Sequence, residues 1–304
     1  MDTSGNPRRR ASPPGHGPGI LLVVLLATAT AWPADARAAA QEDPSPAPLG
    51  GDAEREAFLL EGEVVKDEPA PRGITFPRFV TLRRGEYEHR AVVQTRDEYR
   101  SRFTTGSRTE LDFRDSWRHN VAAYRLDRLL GQGLVPVAVV REYRRKPAAW
   151  SWFVDNLLMS DRERFEQEMP PAKPLAWICQ RDVVRVFDQL IYNFDRTREN
   201  LLIDEHWQIW MIDHGRAFKF FADLRNEEEL PARCEKHLLA GLRRLDRPVL
   251  EKTMEGLLED RQIDGLLARR DTIVRIYDDA IAARGESAVL YEVPPRLVST
   301  AERH

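Results

Sequence analysis

The stretch DQLIYNFDRTRENLLIDEHWQIWMIDHGRAF, Asp188 to Phe218, decides how the rest of the chain is read. Within it Asn200 follows Asp195 by five positions, and Asp213 follows Asn200 by thirteen. Two apolar runs, Leu201 to Ile203 and Ile209 to Ile212, separate the polar residues, and the second leads straight into Asp213-His214-Gly215. The pattern predicts an acidic loop, a β-hairpin and an aspartate at the hairpin's exit. Such an arrangement can bring two carboxylates and one amide into one cleft. Mg²⁺ prefers a few carboxylates plus phosphates and waters, so this is the oxygen set that a metal-bound nucleotide needs. Phosphoryl transfer also needs a carboxylate beside the attacking hydroxyl, which the first aspartate of such a loop can supply. Taken alone, DRTREN is an ordinary turn-forming sequence, because Asp and Asn side chains hydrogen-bond nearby backbone. The amphipathic helix predicted before it and the apolar runs after it shift the balance towards a site.

DRTREN followed by IDHG resembles the D-x-x-x-x-N and D-F-G elements of protein-kinase-like enzymes. The DR at the front and IDHG-x-AF behind are most similar to the phosphatidylinositol 3-/4-kinases, the HipA-type kinases and the secretory-pathway Golgi casein kinase family. A second block, NVAAYRLDRLLGQGLVPVAVV (Asn120 to Val140), resembles the helix-plus-strand segment of the secreted casein kinases and their bacterial relatives. The two blocks cover roughly a fifth of the chain. The resemblance implies an α+β, two-lobed protein-kinase-like fold, with a small antiparallel β N-lobe and a mainly helical C-lobe. It implies Asp195 as catalytic base, Asn200 and Asp213 as metal ligands, and ATP or another nucleotide with Mg²⁺ or Mn²⁺ as cofactors.

The chain's first residues predict export. Arg8-Arg9-Arg10 precede an apolar run from Ile20 to Trp32, about thirteen residues long. A bilayer span takes about 20 residues, so this run is too short to cross. Ala38-Ala39-Ala40 before Gln41 offers an A-x-A cleavage site. Residues 1–40 therefore read as a secretory signal peptide, with membrane contact only in transit and a periplasmic or secreted destination. Its removal moves the formal charge from −3 to −5, which disfavours a general nucleic-acid surface. Residues 41–54 read as a flexible linker, 55–156 as the N-lobe, 157–285 as the C-lobe and 286–304 as a loose tail. The two cysteines, Cys179 and Cys234, could pair in an oxidising compartment or stand as two buried thiols.

In the N-lobe, Leu59–Val65, Thr75–Leu82 and His89–Thr95 predict three antiparallel strands, with a turn at Arg83-Arg84-Gly85-Glu86. Gly73 is the candidate for a phosphate-facing loop. Asp112 to Leu130 predicts a helix on the spacing of Phe113, Trp117, Val121, Tyr124 and Leu129. Val135–Val140 and Trp150–Val154 predict strands, the second ending at Asp155-Asn156. The resemblance would make that exit the hinge that holds a nucleobase.

Kinase-like enzymes usually pair a strand lysine with a helix glutamate. The resemblance places Gln94 and Asn120 at those two positions, so both halves of the ion pair are neutral amides that could hydrogen-bond each other. Lys66, Arg78 and Arg90 are substitute cations to consider. In the C-lobe, Asp182–Phe194, a start at Asp246 with Pro248, and Gln262–Arg284 predict helices, the last ended by Gly285. The expected activity is nucleotide-dependent phosphotransfer to a hydroxyl on a protein, glycan or small molecule. A non-catalytic scaffold and nucleotidyl transfer are the alternatives.

Overall fold

The computed structural model describes residues 49–70, 77–105 and 108–293. The first element of the described residues is helix α1 (Asp52–Glu61), which buries Phe58 and Leu59. This corrects both the flexible linker to 54 and the strand predicted over Leu59–Val65. That apolar run straddles a break at Gly62, where a Cβ would lie 2.8 Å from Phe58 O and 3.0 Å from Leu82 Cβ. Only glycine lets the chain turn that close to the sheet. Strands β1 (Glu63–Pro69), β2 (Arg78–Arg84) and β3 (Tyr87–Gln94) follow, with Gly85 at φ +62° in the predicted turn.

Next comes a ribbon of its own, β4 (Asp97–Thr105) paired antiparallel with β5 (Arg108–Ser116). Helix α2 starts only after it, at Arg118–Leu129. The helix predicted from Asp112 is therefore strand as far as Ser116. Phe113 and Trp117 are four apart, a helical spacing, yet Phe113 lies on the ribbon with its ring 4.4 Å from that of Phe103. Strand β4 supplies the backbone partners that a helix would otherwise provide, and tertiary pairing overrides local spacing. Strands β6 (Ala138–Tyr143) and β7 (Lys146–Trp152) complete a five-stranded antiparallel sheet of order β1-β2-β3-β7-β6. Val80, Leu82, Ala91 and Val93 point from this sheet into the core, joined by Leu126 and Leu130 from the α2 segment. The result is an α+β architecture with an N-terminal antiparallel sheet followed by helices.

The second half opens with β8 (Leu157–Ser160) and α3 (Asp161–Glu166), then the long α4 (Pro174–Leu190). A short ribbon, β9 (Leu201–Asp204) and β10 (Ile209–Met211), forms where the apolar runs predicted it, with β8 added to give order β10-β9-β8. Strand β11 (Cys234–Glu235) and helices α5 (Lys236–Arg244), α6 (Arg247–Thr253) and α7 (Asp260–Arg284) follow. Asp246 caps α6 by accepting from Val249 N, and Gly285 ends α7 at φ +83°. The predicted loose tail is ordered at its start. Helix α8 (Glu286–Val289) leads into β12 (Leu290–Tyr291), which pairs in parallel with β11, and Tyr291 Oη donates to Cys179 O at 3.0 Å. Cys179 and Cys234 are separate buried thiols.

Arg269 of α7 is fully buried and binds three pieces of this lobe together. Its Nε donates to Leu190 O at the end of α4, and its Nη1 to Lys219 O and Phe221 O. Replacing the arginine takes this partner away from the carbonyls of Leu190 and Lys219 in the buried interior, which costs the desolvation of each. Arg269→Leu should lower unfolding stability by about 3 kcal/mol, measured by urea denaturation, whereas a surface change such as Arg275→Leu should cost less than about 0.5 kcal/mol.

Candidate active site

Helix α4 places its apolar face, Val183, Val186, Phe187 and Leu190, in the core and so aims its C-terminal end at the interface between lobes. Asp188 on the same helix is 8% exposed and accepts from Arg196 Nε at 3.0 Å and from Asn193 Nδ2 at 2.9 Å. Arg196 Nη1 reaches on to Asn200 O at 3.0 Å and Ile212 O at 2.7 Å. One buried guanidinium thus ties the helix end, the Asp195 loop and the entry to Asp213. Between its ends, Asn193 Oδ1 accepts from Asp195 N at 3.2 Å and Asn200 Nδ2 donates to Asp195 O at 3.3 Å. The Asn200 amide oxygen is left as the atom that could ligate a metal. Asp195 itself is 45% exposed at its side chain and open to an incoming group.

Asp213 sits at φ +59°, a left-handed conformation that aspartate tolerates better than most residues. The turn after it is pinned from α2 and β5. Asn120 Oδ1 accepts from His214 N at 2.8 Å, the buried His119 Nδ1 lies 2.7 Å from Gly215 O, and Ser116 N donates to Gly215 O at 2.9 Å. A Cβ on Gly215 would stand 2.4 Å from Asp115 Oδ1, so any larger residue here would have to displace that carboxylate. Asp115 is the residue that sequence reasoning missed. Its position within a predicted helix hid it, and it joins the site through a contact a hundred residues away in the chain.

The carboxylates of Asp213, Asp115 and Asp195 repel one another. Burial first, then the Asp115 and Asp195 charges, push Asp213 up to about 6, although Arg196 and Arg216 oppose the rise. Burial also raises Asp115, against the pull of Arg96 and Arg216. Among the described residues, no three His, Cys, Asp or Glu side chains stand close enough to form a metal cluster by themselves. Asp213 and Asn200 offer two oxygen donors, of the kind that could hold Mg²⁺ or Mn²⁺ together with phosphate and water oxygens.

The remaining predicted residues take separate places. Gln94 ends β3 opposite Ala149, on the face away from the buried Ala91 and Val93. Asn120 serves the His214 backbone, a bond that replaces the expected amide pairing with Gln94. Asp155 accepts from Trp152 Nε1 at 3.0 Å, meets His89 Nε2 at 2.6 Å and lies 3.7 Å from Arg55, so its carboxylate anchors α1 and the sheet at the exit of β7. Gly73 lies outside the described residues, as do the predicted signal peptide and most of the linker. Lys66 pairs with Glu68 and Arg78 with Asp67, away from Asp195. Arg90 stacks over Phe79 and Phe153 at 5.0 and 4.2 Å.

Those two rings belong to a second apolar cluster that bridges the lobes. Phe79 and Val92 come from the sheet, Phe153 and Val154 from the connection after β7, Leu157 from β8, and Leu202, Trp210 and Ile212 from the β9–β10 ribbon and its exit. Ile212 adjoins Asp213 and Leu202 is two residues past Asn200, so this apolar surface abuts the polar site. Strand alternation was the available signal, since Val92 faces opposite to Ala91 and Val93. All three are apolar, which concealed it.

The raised Asp213 group has a consequence for stability. Between about pH 4 and 6 the metal-free native protein holds a proton that the unfolded chain, with an ordinary value of 3.8, has released. The stabilising contribution of this carboxyl is therefore complete below about pH 4 and lost as pH rises through about 6. Asp213→Asn should flatten that part of the metal-free Tm–pH profile and stabilise the protein near pH 7 by on the order of 2 kcal/mol, as read by calorimetry.

No protein-family model matches the chain, and no curated protein does. Solved structures do. A hydra Fam20 structure with sugar superposes with a TM-score of 0.58 at 14% identity, covering 80% of this chain and 94% of that one. A Golgi casein kinase with Mn and ADP bound superposes at 0.56 with 13% identity, covering 81% of this chain and 80% of that one. The architecture shared with these proteins, across most of the chain, is the protein-kinase-like fold.

Proposed function

We propose that the protein transfers a phosphoryl group from a metal-bound nucleotide to a hydroxyl acceptor outside the cytoplasm. The observation that carries this reading is the Arg196 brace, which holds Asp195, Asn200 and the entry to Asp213 in one arrangement. Asp195 is the exposed carboxylate that would take the acceptor's proton as its oxygen attacks the terminal phosphorus and the bond to the bridging oxygen breaks. Asn200 and Asp213 would hold Mg²⁺ or Mn²⁺, whose charge neutralises the phosphates. The apolar cluster around Leu202 and Ile212 would seat the base. Support comes from the casein kinase of the same fold whose structure holds Mn and ADP. Export rests on the Arg8–Ala40 sequence pattern.

A second reading, a nucleotide- or partner-binding scaffold without turnover, is favoured by one feature. Gln94 brings no charge, and the Asn120 side chain is engaged with the His214 backbone. Mass spectrometry of purified protein with ATP and Mn²⁺ separates the readings. Phosphotransfer predicts an 80-dalton gain or its release to water as phosphate (about one phosphoryl unit). A nucleotide-sized gain would mean nucleotidyl transfer, and no product at all would favour the scaffold. Asp195→Asn should cut phosphotransfer by about 10²- to 10⁴-fold while leaving nucleotide affinity near that of the wild type. Equal rates in the two proteins would remove Asp195 from the mechanism.

A further inference from the structure

We propose that Arg216 is a catalytic arginine built into the chain, presented to the transferring phosphoryl group by the β4–β5 ribbon. This rests on the phosphotransfer reading above and adds a residue to it. Arg216 Nη1 lies 3.4 Å from Asp195 Oδ2. An acceptor hydroxyl bound to Asp195 must sit within bonding reach of the terminal phosphorus, so a guanidinium this close to Asp195 shares the space around the phosphoryl oxygens. At the end of β3, Gln94 brings no charge.

The guanidinium is held as a catalytic cation needs to be. Its Cζ lies over the rings of Phe113, 5.3 Å from the centroid, and Phe194, 4.6 Å from the centroid. Its Nη2 is bound by Glu110 of β5. Glu110 also accepts from the buried Lys219 Nζ at 2.9 Å, so two cations share this carboxylate and it does not cancel Arg216 alone. Arg216 Nε is buried without a hydrogen-bond partner, and Nη1 is the nitrogen that stands beside Asp195. A planar fork with fixed donors matches phosphoryl oxygens in a way that a lysine does not.

The ribbon that carries Glu110 is docked on the helical lobe. Arg114 pairs with Glu259 at 2.7 Å, Arg261 with Asp112 at 3.2 Å, and Lys219 Nζ donates to Asp112 O at 2.7 Å. Placement of Arg216 therefore depends on contacts between the ribbon and the helical lobe. In the transfer the acceptor oxygen–phosphorus bond forms and the phosphorus–bridging oxygen bond breaks, with the proton going to Asp195. Arg216 exchanges no bond; it donates hydrogen bonds to oxygens whose charge grows. Glu110 is a positioning residue that acts through it.

The test uses the full chain with ATP and Mn²⁺, reading phosphate release to water and mass gain of the protein. Arg216→Ala should lose turnover by about 10³-fold or more, the range of supplied arginines, with Mn–ADP affinity and Tm nearly unchanged. Added guanidinium ion should restore part of the rate, and Arg216→Lys should stay slow. Aluminium fluoride should tighten ADP binding to the wild type and fail to tighten it in Arg216→Ala, a readout independent of turnover. Glu110→Gln should lower kcat and spare the nucleotide KM. Wild-type turnover in Arg216→Ala overturns the proposal. So does a loss that guanidinium does not restore and that falls equally on Mn–ADP affinity. Absence of transfer by the wild type itself overturns the phosphotransfer reading and this arginine together, whereas the other outcomes leave that reading standing.

Discussion

The guanidinium of Arg196 reaches the Asp188 carboxylate on α4, the carbonyl of Asn200 and the carbonyl of Ile212. Each partner belongs to a different piece of chain, and each piece carries one part of the site. Beside this brace, the Asn193 and Asn200 side chains shape the Asp195 loop. With the brace, a helix end, a loop and a strand exit form one rigid unit. The Ile212 N–H completes the unit by donating to Asn200 O at 3.1 Å. A buried arginine is stable here because its charge meets Asp188 and its remaining donors meet carbonyls; removing either side would leave the other desolvated and unpaired.

Electrostatics set the second constraint. Asp213, Asp115 and Asp195 converge, and Arg196, Arg216 and Arg96 offset them only in part. Such crowding of negative charge destabilises the metal-free state and favours a cation. The N-terminal sheet adds apolar surface through Phe79 and Val92 but no lysine at Gln94. Among the described residues, Arg196 and Arg216 are the cations that offset Asp213. This differs from the usual strand-lysine arrangement and follows from where the arginines stand.

The Asp195, Asn200 and Asp213 spacing was legible because the loop and the β9–β10 ribbon are contiguous, so their geometry follows from local pattern. Helices α6 and α7 were legible for the same reason, through apolar spacing and the Asp246 and Gly285 caps, whereas α4 was read as Asp182–Phe194 and in fact runs from Pro174 to Leu190. Errors came where distant chain decided the outcome. Phe113 and Trp117 carry helical spacing, yet β4 turns the first of them into a strand residue. The tail is ordered because Leu290 pairs with Cys234, a contact that no local signal announces. Asp115, Glu110 and Arg216 meet across about a hundred residues, so their shared site could not be read from spacing. Asn120 was noticed for the wrong partner, since its amide serves His214 and not Gln94.

The central claim is that Asp213 and Asn200 form a metal site that receives a nucleotide. Equilibrium titration of a fluorescent ADP analogue into the purified protein, with Mn²⁺ and with chelator, tests it most directly. The account predicts binding that needs Mn²⁺, competes with ATP, and is lost in Asp213→Ala while the fold, judged by circular dichroism, is kept. Nucleotide binding of the same strength in chelator, or in Asp213→Ala with Mn²⁺, would contradict it.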